Sequence, residues 1–280
     1  MSAPYFNGSI ATYIPFKFTN GGWYSGFIPK LTYTFTNDRF NTSLVNMSYE
    51  NGGIMGEPTF LGSTNGKNIF RQYLSGSARG YVMLSTPNSA VYPRWGAGLE
   101  LGASGSLGLL KYISPMGYAY AYGYVPGFTR EQGIRLSVLH QSKLSEDSFF
   151  GQAIVNVLPR GLQKRTDILN QLSVSSPHMT KLSIDYAAPV FIGNIVLGRN
   201  ILAIKRLVLT PSFDCTLIGM QAKLWSGSLD IVFDFESILT LEFPASIGIT
   251  ASYSGGFNGS FEELKFNKRF FFGPVFNVSL

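Results

Sequence analysis

The stretch GYAYAYGYVPG, residues 117–127, carries tyrosine at every second position, with only glycine or alanine between the rings. The tyrosines are Tyr118, Tyr120, Tyr122 and Tyr124. Successive side chains of a β-strand point to opposite faces of a sheet, so a period of two predicts a strand. One face of this strand is aromatic and the other is nearly bare.

The same period of two recurs along the chain. It is clearest in LTYTFTN (31–37), WGAGLELGASGS (95–106), KLSIDYAAPV (181–190), SLDIVFDFE (228–236) and ASIGITASYSGG (245–256). In each segment large apolar residues alternate with glycine, serine, threonine or an isolated charge. No comparable stripe repeats every 3.6 residues, so the pattern predicts an all-β chain.

The alternation predicts twelve strands, most of them longer than the five or six residues usual in soluble sheets. They lie at about 8–18, 22–36, 40–50, 68–85, 95–108, 112–126, 131–144, 179–192, 201–217, 220–236, 243–255 and 269–280. Some connections are tight, such as 19–22 and 36–39, and others are long and polar, such as 51–67, 145–178 and 256–268. Short turns alternating with long loops are typical of outer-membrane barrels.

The polar positions of these strands decide between a soluble sheet and a membrane barrel. Only 14% of the 280 residues are charged, against about 25% in a soluble domain. The polar faces are mostly small residues, as in an interior, and not the Lys and Glu of a water-exposed face. We therefore predict one domain over residues 1–280, an antiparallel transmembrane β-barrel with its apolar side chains in lipid.

Within a barrel, the four alternate tyrosines allow two arrangements. They extend over roughly 20 Å at about 3.3 Å per residue, which exceeds one interfacial belt. Either the strand leans so that Tyr118 and Tyr124 reach opposite interfaces, or all four rings point into the interior. We favour the lipid-facing arrangement.

Several other function classes have little support. The net charge is +6, but the basic residues are scattered, so we expect no nucleic-acid partner. One cysteine and two histidines offer no metal cluster. No sequence motif typical of a nucleophile, zinc or nucleotide site is present, so we expect neither an enzyme nor a cofactor. The start MSAPYFNGSI does not look like a signal peptide, so we expect part of a longer, mature chain.

Three pieces of the chain, in order, resemble one known family. They are VYPRWGAGLEL (91–101), GYVPGFTREQGIRLSVLHQ (123–141), and KLSIDYAAPV (181–190) with AIKRLVLTPSFD (203–214). They are similar to the BamA/TamA (bacterial surface antigen) superfamily, and more narrowly to a Bacteroidota branch in which the barrel follows a TolB- or tricorn-like periplasmic propeller. The resemblance implies a sixteen-stranded barrel in the Gram-negative cell outer membrane, with about twelve strands in this chain.

The resemblance also implies a function and partners. Such a barrel acts in outer-membrane protein assembly or transport, or anchors a periplasmic domain that binds partners. It contacts outer-membrane lipid and lipopolysaccharide, and other outer-membrane or periplasmic proteins of an envelope complex. A passive porin-like channel and a soluble β-rich binding module are the alternatives.

LPRGL, residues 158–162, resembles the tip of an extracellular loop that folds into the lumen of these barrels. In this chain the loop is residues 145–178. Arg160 and Gly161 match the family's V/I-R-G-F/Y tip, whereas Pro159 and Leu162 depart from it. Five predicted strands follow the tip as the family requires, and seven precede it where eleven are expected.

The alternation independently places two carboxylates near that tip. Asp185 and Asp214 fall on the polar faces of adjacent predicted strands. Paired carboxylates in a poorly hydrated lumen need a cation, and a guanidinium has five donors with which to bind both. We predict that Arg160 clamps the loop to one or both carboxylates. The alternative is a solvated Arg160 and aspartates that face water.

The last residues, GPVFNVSL (273–280), partly fit the C-terminal assembly signal of outer-membrane barrels. Gly273, Phe276 and Val278 match the pattern. Phe271 takes the polar position, and the chain ends at Leu280 and not at an aromatic residue. An ordinary amphipathic last strand is the alternative.

Overall fold

A computed structural model describes residues 6–39, 43–46, 49–50, 53–54, 59–63, 68–86, 89–107, 113–145, 150–151, 155–162, 178–197, 202–219, 221–238, 245–257 and 270–278. In these ranges every regular element is a strand. The strands are β1 (Asn7–Tyr13), β2 (Phe16–Asn20), β3 (Trp23–Arg39), β4 (Ser43–Asn46), β5 (Tyr49–Glu50), β6 (Gly53–Ile54), β7 (Thr59–Ser63), β8 (Asn68–Leu84), β9 (Gly96–Leu107), β10 (Ile113–Ser114), β11 (Met116–Pro126), β12 (Gly133–Lys143), β13 (Phe150–Gly151), β14 (His178–Leu197), β15 (Leu202–Ile218), β16 (Gln221–Ile238), β17 (Ala245–Gly256) and β18 (Phe270–Val278). No described helix is long and apolar enough to span a membrane.

Twelve of the strands form one antiparallel sheet. Its order is β1-β3-β8-β9-β11-β12-β14-β15-β16-β17-β18, with β2 paired to β3 beside β1. The short strands pair as β4–β7, β5–β6 and β10–β13, apart from this sheet. The predicted all-β, antiparallel architecture is therefore confirmed.

Two of the predicted strands are wrong in detail. The strand expected at 8–18 is divided at Ile14 and Pro15, because proline has no N–H to donate to the ladder. The strand expected at 40–50 is not in the large sheet, since β3 pairs directly with β8 along Trp23–Arg39. The residues between β3 and β8 that the structure describes form the small pairs β4–β7 and β5–β6.

The large sheet has the opposite polarity to a soluble sheet. On β16, Ser226 and Ser228 are buried, whereas Leu229 is 39% exposed and Phe233 41%. A soluble sheet buries its large apolar side chains. We call the face with the buried polar residues the inner face and the opposite one the outer face.

The strand register assigns each connection to one end of the sheet. Residues 40–67, 108–115, 144–177, 219–220 and 257–269 connect strands at one end, here the long-loop end. Residues 21–22, 85–95, 127–132, 198–201 and 239–244 connect strands at the other, the short-turn end. The three longest connections share one end and include those predicted to be long, whereas the predicted tight turn at 36–39 is wrong, because these residues belong to β3 and pair with β8.

The tyrosines of GYAYAYGYVPG lie on the inner face, so the lipid-facing arrangement favoured above is wrong. Tyr122 pairs with Ser137 and Tyr124 with Arg135, both on the inner face of β12. The reason lies on the neighbouring strand β9. A Cβ at Gly98 or Gly102 would overlap the ring of Tyr122 or Tyr118, so these glycines leave the space that the rings occupy.

Among the described residues the sheet remains open. One edge is β1 with β2, the other is β18, and no pairing joins them. Six positions in the ladder precede residues 155–162, one fewer than the seven predicted, because 40–50 contributes none.

Candidate functional site

Residues 155–162 lie against the inner face as an irregular segment, here called the inner segment. Val157 and Leu158 are fully buried, and Leu162 is nearly so. They pack with Met179 on β14 and Leu224 on β16 in one apolar cluster. These apolar contacts hold a segment without regular structure against a mostly polar wall.

Arg160 joins the inner segment to two strands. Its Nη2 donates to Oδ1 of Asp185 on β14. Its Nε lies 3.7 Å from Oδ2 of Asp214 on β15, and its backbone N–H donates to the same oxygen at 2.8 Å. The structure thus brings together the three side chains that the sequence linked.

The two carboxylates are removed from solvent, with 1% of each residue exposed. Burial disfavours the charged form of Arg160, but the negative charges of Asp185 and Asp214 outweigh it and raise the pKa of the guanidinium. Arg160 therefore stays charged, as a buried pair of carboxylates requires.

Two further cations complete the cluster, and the sequence did not link them to it. Arg135 Nε lies 3.3 Å from Asp185 Oδ2, and Lys181 Nζ lies 3.2 Å from Asp214 Oδ2. Each carboxylate therefore has two cationic partners. Alternation alone places Lys181 on the polar face, but only the register shows that Arg135 stands directly opposite Asp185.

Side chains of the wall also bind the backbone of the inner segment. Gln141 Oε1 accepts from the Val155 N–H at 3.3 Å, and Thr216 Oγ1 donates to the Val157 carbonyl at 2.6 Å. Lys181 Nζ donates to the Leu158 carbonyl at 3.1 Å. These bonds satisfy buried backbone groups that no strand partner satisfies.

Gly161 has no room for a side chain. Its φ of 83° lies in the left-handed region, and a Cβ would overlap Oγ of Ser252 on β17. The structure accommodates both residues that differ from the V/I-R-G-F/Y pattern, Pro159 and Leu162. Pro159 is fully buried, and its carbonyl accepts from the Leu162 N–H at 3.1 Å in a tight turn.

A second connection, residues 89–95 between β8 and β9, also crosses the inner face. Arg206 on β15 donates from Nη1 to the carbonyl of the buried Ala90 at 2.7 Å. Arg206 also pairs with Asp234 on β16, which accepts from Ser246 on β17 at 2.7 Å. This connection, which begins at the short-turn end, is thus fixed to β15 across the inner face.

Tyr92 brings this connection towards the Arg160 cluster. Its ring centroid lies 5.4 Å from that of Tyr124. Burial, together with the negative charge of Asp185, raises the pKa of Tyr92 to about 12. Two connections, one from each end of the sheet, therefore reach the part of the inner face around Asp185.

The C-terminal residues singled out in the sequence form no cluster with Arg160 in the described structure. Gly273 is buried on β18 and pairs with Thr250, whereas Phe276 is 70% exposed on the outer face. Val278 ends β18 opposite Ala245. Leu280 lies outside the described residues, as do residues 146–149, 152–154 and 163–177 of the predicted loop 145–178.

The chain matches no protein-family model and no curated protein at a significant level. In the ranges that the structure describes, no three His, Cys, Asp or Glu side chains group as metal ligands. The interpretation of the site therefore rests on its geometry and on the resemblance of short motifs.

Proposed function

We propose that this chain forms a β-barrel of the cell outer membrane, of the BamA-like class, with an occluded lumen. One observation carries the proposal: large apolar side chains cover the exposed face of the sheet, while its buried face holds charges and an ion-paired inner segment. Lipid suits the first face and an enclosed lumen suits the second.

The dimensions of the outer face support a membrane span. On β16 its apolar residues run from Trp225 to Phe235. The ten steps between these residues, at about 3.3 Å each and tilted by roughly 40°, give a band of about 25 Å. Trp225 and Tyr253 are in contact near the long-loop end, and Trp95 is half exposed near the short-turn end, as expected of interfacial aromatic residues.

Bilayer physics supports closure into a cylinder. The edges formed by β1 with β2 and by β18 carry backbone groups that no described strand pairs. Unpaired N–H and C=O groups cost several kcal/mol each in lipid. Closure as a barrel of the sixteen-stranded type would pair both edges.

The filled interior favours a role in protein assembly or transport, or as an anchor, over a passive channel. The inner segment and residues 89–95 both lie across the inner face. On this proposal the barrel contacts outer-membrane lipid and lipopolysaccharide and recruits other envelope proteins. We assign it no catalytic reaction.

Electrophoresis and conductance test the proposal. The protein refolded in detergent should migrate faster unheated than boiled, and liposomes that contain it should conduct weakly. Strong, steady conductance would favour a porin-like channel. A folded protein in buffer without detergent would favour a soluble binding module.

Depletion in the native cell separates the two envelope roles. Loss of several unrelated outer-membrane proteins would indicate assembly. Unchanged levels of those proteins, with release of one periplasmic complex from the membrane, would indicate an anchor. If neither changes, the envelope role is wrong.

A further inference from the structure

The inner face has two parts of different chemistry. Beneath the inner segment, β15 to β17 present small hydroxyl side chains such as Ser226, Ser252 and Ser254, all buried. On β11 the same face presents tyrosines, of which only Tyr122 is buried. The inner face thus changes from small hydroxyl side chains on β15 to β17 to aromatic side chains on β11.

The tyrosine rings form a continuous row. Ring centroids of Tyr120 and Tyr122 lie 5.4 Å apart, and those of Tyr122 and Tyr124 lie 5.7 Å apart. Tyr92 continues the row beyond Tyr124 at 5.4 Å. The row therefore extends from the middle of β11 to the connection 89–95.

Glycines on β9 set the orientation of the rings. Tyr118 and Tyr122 occupy the space above Gly102 and Gly98, where any other residue would place a Cβ. The rings therefore lie against the backbone of β9. Arg79 covers the other side of the Tyr122 ring, with its Cζ 5.4 Å from the ring centroid, whereas Tyr118, Tyr120 and Tyr124 stay half-buried and keep accessible ring surface.

Charged groups flank the row at hydrogen-bonding distance. Tyr118 Oη donates to Glu100 Oε1 at 2.6 Å, and Arg79 Nη2 donates to Tyr122 Oη at 3.2 Å. Arg79 Nε and Glu100 Oε2 also lie 4.0 Å apart as an ion pair, and the two side chains remain 45% and 25% exposed, so part of each is accessible to a ligand. A charged donor and a charged acceptor thus border an aromatic surface.

We infer that this tyrosine wall is a binding site for an oligosaccharide chain. A sugar ring has apolar C–H faces and a rim of hydroxyl groups, so it matches aromatic surfaces that are bordered by a carboxylate and a guanidinium. A site with aromatic lining and few polar groups is typical of small-molecule recognition. The row of rings suits a chain of sugar units better than a single sugar. In this inference, only the route by which the oligosaccharide reaches the site rests on the proposed barrel.

Binding is tested on the refolded protein in a zwitterionic detergent without a sugar head group, which would compete. Maltoheptaose, cellohexaose and chitohexaose are titrated by calorimetry. At least one should bind saturably, with a Kd on the order of 1 mM or below. Tyr120→Ala should weaken that binding about tenfold, and Glu100→Gln or Tyr118→Phe severalfold. Tyr253→Ala, on the outer face, is the matched control and should bind as the parent does.

The outcomes separate this inference from the proposed barrel. Heat-modifiable migration is recorded for every variant, so that only folded protein is compared. If folded parent protein binds none of the three oligosaccharides, or if Tyr120→Ala and Glu100→Gln bind as tightly as the parent, the inference is overturned. Saturable, tyrosine-dependent binding by protein that lacks heat-modifiable migration would support the site and contradict the barrel.

Discussion

Removal of the Arg160 guanidinium should destabilise the protein strongly. In Arg160→Ala, Asp185 and Asp214 stay buried at 1% exposure but lose a shared cation. Breaking a buried ion pair costs about 3–5 kcal/mol. Arg135 and Lys181 still neutralise one carboxylate each, so we expect the lower end, about 3 kcal/mol. This equals about two decades in the unfolding equilibrium constant.

The assay is urea unfolding of the refolded protein, followed by loss of the fast-migrating band on unheated gels. Arg160→Lys keeps the charge but loses the two-pronged geometry, so it should lie between Ala and the parent. The Arg160→Ala/Asp185→Asn double variant should lose less than the sum of the single changes, because both remove one interaction. An unfolding midpoint for Arg160→Ala equal to that of the parent would refute the clamp.

Four single substitutions test other contacts of the two connections on the inner face. Gly161→Ala should destabilise by more than about 1 kcal/mol, because it adds a clash to an unfavourable φ; an unchanged urea midpoint would contradict this. Lys181→Met should speed hydrogen exchange at the Arg160 and Leu162 N–H groups, since it removes the bond that holds the Leu158 carbonyl; exchange equal to the parent's would count against it. Arg206→Ala should release residues 89–95, measured by hydrogen exchange, with Lys205→Ala as control; equal protection in both variants would exclude that anchor. The raised pKa of Tyr92 stabilises the folded state below pH 10, and this contribution is lost as pH rises through about 12. Tyr92→Phe should therefore reduce the fall in the free energy of unfolding over that pH range by about 2 kcal/mol. A pH profile identical to the parent's would contradict this.

Alternation was sufficient to predict much of the sheet and part of the site. Strand periodicity is local, so residues such as Leu229 and Ser228 reveal their faces without knowledge of their neighbours. The same parity placed Asp185 and Asp214 on the inner face. The resemblance of LPRGL to a loop tip then singled out Arg160 among the cations of the predicted internal loop.

The features that could not be predicted from the sequence depend on pairing between distant strands. The side taken by the tyrosines is decided by Gly98 and Gly102, which become their neighbours only through the register of β9 with β11. Arg135 faces Asp185 through the register of β12 with β14. The contact of Arg206 with Ala90 joins residues 116 positions apart, and no local pattern encodes it.

Two adjacent positions on β16 test the inverted polarity most directly. In a Cys215→Ser background, Leu229→Cys and Ser228→Cys place one environment-sensitive fluorophore at equal depth on opposite faces. The label is attached before refolding into liposomes that contain nitroxide-bearing acyl chains. An apolar face in lipid predicts strong quenching at position 229 and little at position 228. Stronger quenching at 228, or none at either position, would contradict a sheet whose apolar face lies in lipid.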